Sequence, residues 1–297
     1  MTPIKTIDTS ALTAAYEERG TPGNIPVVLL HGFPYSPRAY DEVATILAGH
    51  GLHVIVPYLR GFGPTRFRSD AAIRSGEQAA LGTDLVELIL ALGLEQPVVA
   101  GYDWGGRAAC VAAAIRPDLV RGLVSSGGYN LFGPPVTHPL PPEMEHVLWY
   151  QYYLHTERGR EMLETNRRGF CRLLWKLWSP NWAFDEATFA RSAEALDNDD
   201  FVEVVLHSYR NRAGLVAGDP ALSDLAEKLE REQPPITVPT IAIYGDAGLL
   251  PAAVAQQRGR FSGTWECRTL PGVGHNLPQE APQAFAAAVL ALASNGS

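Results

Sequence analysis

The chain has 297 residues, 46% of them hydrophobic and 19% charged, which supports a sizeable core and argues against disorder. A formal net charge of -8 excludes a general nucleic-acid binder and offers no attraction to an anionic membrane surface. Cys110, Cys171 and Cys267 are widely spaced, form no CxxC pair and read as free thiols of a reducing compartment. The first residues show no basic stretch followed by an apolar one, and no run approaches the roughly 20 apolar residues of a spanning helix. A cytoplasmic location is therefore expected.

Short apolar runs alternate with helical patterns along the first part of the chain. Pro26-Val27-Val28-Leu29-Leu30-His31 is a buried-strand run, and a helix follows over about 37–50, with Gly51 as its stop. His53-Val54-Ile55-Val56-Pro57 predicts the next strand, then the turn-rich Arg60 to Thr65, then a helix over 76–92. Pro97 to Gly101 predicts a fully buried strand, Arg107 to Ile115 a helix closed by Pro117, and Leu119 to Ser125 another strand. Near-continuous apolar strands alternating with helices imply an α/β fold with a mostly parallel sheet covered on both faces.

The rhythm breaks over 133–235. Prolines 134, 135, 139, 141 and 142 mark an entry and Pro234-Pro235 an exit, and the helical stretches between them are rich in Trp, Tyr and Phe. Strand character resumes at Thr240 to Tyr244 and near Trp265 to Leu270, before a closing helix over 279–292. The expected organisation is a core of 1–132 and 236–297 carrying a helical cap of 133–235. Such a lid would lie over the carboxyl edge of the sheet, where open α/β sheets bind ligands.

Gly101-Tyr102-Asp103-Trp104-Gly105 falls between a predicted strand and a predicted helix, the Gly-x-Nuc-x-Gly elbow pattern with aspartate as the nucleophile. Small residues two before and two after let strand and helix pass closely, and the helix N-terminus favours the negative charge. An aspartate there is ionised at neutral pH, so it can attack an sp³ carbon without a base and form an alkyl ester. The bland reading of Asp103 is an ordinary helix N-cap. His275, in the glycine-flanked loop after the last strand, is placed as the general base that would activate water on that ester. His31 reads as a structural histidine. The remaining histidines lack metal-ligand spacing, so no metal and no cofactor are expected.

The order of these motifs resembles the epoxide hydrolase branch of the α/β-hydrolase superfamily over essentially the whole chain. His31-Gly32-Phe33-Pro34 resembles its HGxP loop, which implies an oxyanion hole from the amides of Phe33 and Trp104. Arg60-Gly61-Phe62-Gly63-Pro64-Thr65 looks like its RGxGxS/T loop. The resemblance places the orienting acid at Asp246 in Tyr244-Gly245-Asp246-Ala247-Gly248, although the spacing is one residue short; the alternative position, Gly127-Gly128-Tyr129-Asn130, offers no carboxylate. Trp149-Tyr150-Gln151-Tyr152-Tyr153 and Ser208-Tyr209-Arg210 are similar to the two cap-tyrosine segments, so Tyr150 and Tyr209 would protonate the epoxide oxygen. Trp104, Trp149, Gln151 and Tyr153 are the expected substrate-lining residues.

The implied function is conversion of an apolar or aromatic epoxide to a diol, with a small-molecule substrate as partner and a homodimer as one option for assembly. The rivals are a haloalkane or haloacid dehalogenase with the same nucleophile, and a non-hydrolytic cyclase or binding protein on the same fold. Gln151, where fluoroacetate dehalogenases carry a tryptophan, and Trp104, where they carry an arginine, count against the first rival.

Overall fold

A computed structural model of the chain describes residues 2–247 and 255–294. The expected buried runs form the parallel strands β3 (Pro26–Leu30), β4 (His53–Pro57), β6 (Val98–Gly101), β7 (Gly122–Ser126), β8 (Thr240–Gly245) and β9 (Trp265–Leu270). Two antiparallel strands precede them, β1 (Ile4–Asp8) and β2 (Leu12–Arg19), and the short β5 (Arg66–Phe67) pairs with β2. The order across the sheet is β1-β2-β4-β3-β6-β7-β8-β9. Every residue of β3, β4, β6 and β7 is buried, as strands covered on both faces require.

Helix α1 (Asp41–Gly49) packs on α11 (Pro282–Ser294), and α2 (Gln78–Ala91) on α3 (Asp103–Ile115). The α/β-hydrolase architecture expected from the sequence is thus present, with local differences. The antiparallel entry was not expected, because Leu12-Thr13-Ala14-Ala15-Tyr16-Glu17-Glu18-Arg19 carries Ala and Glu, which sheets disfavour. The predicted closing helix is divided into α10 (Leu277–Glu280) and α11, since Pro282 cannot continue a helix. Helix α3 starts four residues earlier than its composition suggests, at Asp103 itself.

Between β7 and β8 run α4 (Pro142–Val147), α5 (Trp149–His155), α6 (Glu157–Trp178), α7 (Glu186–Ala193), α8 (Phe201–Arg212) and α9 (Ser223–Glu232). Their aromatics fill the space against the core. Trp175 is fully buried, stacks on Trp182 and on Tyr35, and donates its indole N–H to the Pro34 carbonyl at 3.0 Å. Phe201 stacks on Phe33 with ring centres 6.2 Å apart. No helix among the described residues is long and apolar enough to cross a membrane.

The strand-to-helix turn from β6 into α3 is tightly packed. Asp103 has φ +53, a left-handed conformation that costs a non-glycine residue on the order of 1–3 kcal/mol and persists only where its surroundings enforce it. A Cβ on Gly105 would run into the carbonyl oxygens of Leu30 and His31. Gly105→Ala is expected to destabilise the protein by about 1–3 kcal/mol, read from the urea midpoint. An unchanged midpoint would show that the crossing has slack.

Candidate active site

The elbow points the Asp103 carboxylate over the end of β3. Its Oδ1 accepts the amide of Phe33 at 2.8 Å and the amide of Trp104 at 2.7 Å. Gly32 is needed there because any Cβ would collide with the Asp103 side chain. Oδ2 takes part in neither bond and faces His275, whose Nε2 lies 3.6 Å away. That separation is too long for a hydrogen bond, so the two groups are adjacent without being tied.

His275 Nδ1 lies 3.1 Å from the Tyr35 hydroxyl. The structure does not bring Asp246 to the imidazole: this residue is exposed, and its Oδ1 accepts the amide of Gly272 at 2.6 Å. The loop beyond Ala247, including Gly248, lies outside the described residues. The shortened spacing noted in the sequence thus coincides with a carboxylate that braces the His275 loop from outside. Tyr35 had no local signal, being one aromatic among many. Its role emerges only because the turn after β3 folds against the loop after β9.

Glu280 is the other side chain that sequence reasoning passed over. Its carboxylate accepts the amides of Gly274 at 2.7 Å and Asn276 at 3.0 Å, and the Ser179 hydroxyl at 2.6 Å. Ser179 in turn accepts the amides of His275 and Asn276. The His275 amide also donates to the Trp178 carbonyl at 3.0 Å. The His275 loop is therefore held by the partly buried Glu280 carboxylate and by the end of α6. Burial pushes the His275 imidazole below its ordinary range, and the charges of Asp103 and Glu280 oppose that shift. Its neutral form is thereby favoured near pH 7.

Tyr150 and Tyr209 meet edge to face, with ring centres 5.4 Å apart, and both are buried. Tyr209 also packs on Phe33 and Trp104, and Tyr150 on Trp178, so both phenols belong to the wall around Asp103. Burial raises both phenol pKa values, with the charge on Asp103 adding to it, so each keeps its proton. Gln151 donates to the Tyr150 hydroxyl at 3.0 Å, which leaves the phenol proton free for another acceptor. Trp104 is fully buried, and its indole N–H has no hydrogen-bond partner among the described residues. Trp149 and Tyr153 instead pack on each other and on Phe170, within the helical insertion.

His31 is fully buried beneath this site. Its Nδ1 lies 3.0 Å from the Gly32 carbonyl, and its Nε2 accepts the Leu59 amide at 3.2 Å, which fixes the Nδ1–H tautomer. Burial lowers its pKa to about 4. Between pH 6.5 and 4 the unfolded chain would bind a proton at this residue that the native state refuses. Stability should therefore fall as pH drops through that window, by about 3 kcal/mol from this residue, and level off below it. Urea melts at pH 7, 5.5 and 4 test this, since His31→Gln should flatten the slope and an unaltered slope would assign it to other groups.

Comparison with known proteins places this geometry in context. A family model described as the alpha/beta hydrolase fold matches residues 25–249. The chain is 33% identical over 147 residues to Epoxide hydrolase B of Mycobacterium tuberculosis, covering 45% of this chain and 40% of that protein. The match thus spans less than half of that relative's length. To the soluble epoxide hydrolase of a Corynebacterium species it is 27% identical over 271 residues, covering 87% and 86% of the two chains. A crystal structure of a candidate epoxide hydrolase from Klebsiella pneumoniae superposes with a TM-score of 0.95 at 43% identity, covering 98% of this chain and 97% of that one.

Proposed function

The chain belongs to the α/β-hydrolase fold family, and within it we propose an epoxide hydrolase that works through a covalent ester on Asp103. The observation that carries this reading is the division of labour between the two carboxylate oxygens. Oδ1 is bound by two amides, while Oδ2 is free of hydrogen bonds and faces the base. A carboxylate held this way attacks with one oxygen and presents the other to a preformed oxyanion hole. The helical insertion serves as a lid in this reading, supplying Tyr150 and Tyr209.

In the first step Oδ2 attacks an epoxide carbon, the ring C–O bond breaks, and Tyr150 or Tyr209 gives its proton to the departing oxygen. A neutral phenol suits this task, because the leaving group is otherwise an alkoxide. In the second step His275 Nε2 takes a proton from water, whose oxygen adds to Asp103 Cγ. Negative charge then develops on Oδ1, where the amides of Phe33 and Trp104 already point. Collapse expels the ester oxygen, which leaves with the diol and takes its proton from His275; Asp103, left as the acid, returns its proton to the phenolate formed in the first step and becomes carboxylate again.

For Nε2 to act as base, the Nδ1 proton must point to the Tyr35 oxygen. That hydroxyl fixes the ring but carries no charge, and Asp103 is an uncharged ester when His275 takes its proton, so stabilisation of the imidazolium falls to Glu280 and to the oxyanion that develops on Oδ1. We therefore assign Tyr35 as a positioning residue and expect ester hydrolysis to be the slower step. A second reading, haloalkane dehalogenation, is favoured by one observation, the unpartnered Trp104 N–H beside the nucleophile, which could cradle a halide.

Incubating the His275→Gln variant with styrene oxide should leave the substrate's added mass on the Asp103 peptide. A folded variant that releases halide from 1-bromobutane but forms neither adduct nor diol from styrene oxide would overturn the epoxide reading. Tyr35→Phe should slow ester hydrolysis about tenfold or more while sparing ester formation, as single-turnover kinetics would show. Equal losses in both steps would remove Tyr35 from its role. The rate of ester hydrolysis should fall on acidification with an apparent pKa below the ordinary histidine value of about 6.5, because burial disfavours the imidazolium.

A further inference from the structure

The bond between Tyr35 and His275 can run in either direction, and its direction decides what His275 is able to do. The Tyr35 hydroxyl and His275 Nδ1 are 3.1 Å apart, and Tyr35 is fully buried. That nitrogen is the hydroxyl's one hydrogen-bond partner among the described residues. In a neutral imidazole one ring nitrogen donates and the other accepts, so this bond fixes the tautomer.

Two penalties set the direction while Asp103 is a carboxylate. With the proton on Nδ1, the Tyr35 oxygen would accept, and its own O–H would lie buried without an acceptor. The bare Nε2 lone pair would also face Asp103 Oδ2, an anionic oxygen 3.6 Å away. With the proton on Nε2, Nδ1 accepts the Tyr35 O–H and the positive end of Nε2–H faces Oδ2. Both penalties then vanish. A carboxylate on Nδ1 would impose the opposite tautomer. Asp246 is bonded instead to the amide of Gly272, and Glu280 to the amides of Gly274 and Asn276 and to Ser179. Ester formation removes the second penalty, because Oδ2 becomes an uncharged ester oxygen. An acceptor for the Tyr35 O–H would remove the first. The Tyr102 hydroxyl is suited to that task, since it is buried and has no hydrogen-bond partner among the described residues. The Tyr102 ring packs on Tyr35, with centres 5.0 Å apart, and on His275 at 6.0 Å.

Resting on the epoxide reading above, we infer that Tyr102 is a positioning residue for ester hydrolysis. His275 rests with its proton on Nε2 and turns to the Nδ1–H form once Asp103 is esterified, when Tyr102 accepts the Tyr35 O–H. The exchange balances. Nδ1 takes one proton from water and Nε2 returns one to water, so the ring and both phenols end neutral. Nucleophile and base are thereby readied in succession, because Nε2 has no lone pair to offer before the ester exists.

Long-range proton–nitrogen NMR of the histidine-labelled protein reads the tautomer directly at about pH 8, where His275 is neutral. The His275 signals are assigned by their loss in His275→Gln. The wild type should show Nε2–H. In Asp103→Asn the amides of Phe33 and Trp104 retain the side-chain carbonyl, so the new NH2 group faces Nε2 as a donor. That variant should show Nδ1–H, and adding Tyr102→Phe should shift the equilibrium back towards Nε2–H. Tyr102→Phe alone removes a hydroxyl that is bonded to nothing at rest. It should keep the urea midpoint and the rate of ester formation on styrene oxide, and slow ester hydrolysis about tenfold. An Nδ1–H wild type, an Asp103→Asn spectrum like that of the wild type, or ester hydrolysis at the wild-type rate in Tyr102→Phe would overturn the proposal. The spectra need no substrate. The expected tautomers in a protein that forms neither adduct nor diol from styrene oxide would retire the epoxide reading and retain the tautomer switch.

Discussion

The left-handed turn at Asp103 is the constraint on which the rest of the site depends. A non-glycine residue with φ +53 stays there only because the β3 and α3 backbones crowd it and because two amides grip Oδ1. The same crowding explains the small residues around it, Gly32 facing the carboxylate and Gly105 facing the β3 carbonyls. Those amides serve twice. In the resting protein they bind half of a full negative charge, and during ester hydrolysis they would bind the charge that develops on the same atom. The strain is thus coupled to a preorganised electrostatic site rather than dissipated in a mobile loop.

Around that point the protein builds with aromatic rings more than with charges. Tyr35, Tyr102 and Trp178 surround His275, and Phe33, Trp104, Tyr150 and Tyr209 surround the carboxylate. A site of this kind excludes water, which lowers the basicity of the histidine and keeps the phenols protonated. In the proposed mechanism both effects would favour acid at one end of the substrate and base at the other. Among the charged groups, Glu280 lies under the His275 loop, where it accepts the amides of Gly274 and Asn276.

Much of this was legible in the sequence because it was local. Buried strands announce themselves as apolar runs, and the elbow as a short motif in a strand–helix context. Tyr150 and Tyr209 were reachable through resemblance and do stand beside Asp103. What the sequence concealed was pairing over long separations. Tyr35 reaches a histidine 240 positions away, and Ser179 joins a loop 96 positions on. Asp246 shows the complementary failure. Its place in the chain is suggestive, yet its carboxylate accepts the amide of Gly272 rather than facing the imidazole.

The end of α6 deserves a mechanical reading. Trp175 is bonded to the Pro34 carbonyl, beside the amide that grips Oδ1, while the Trp178 carbonyl and Ser179 hydroxyl hold the amide of His275. One helix terminus is thereby fastened at once to the turn whose amide binds Asp103 and to the loop that carries His275. Displacing α6 from the core would therefore disturb the Phe33–Pro34 turn and the His275 loop together.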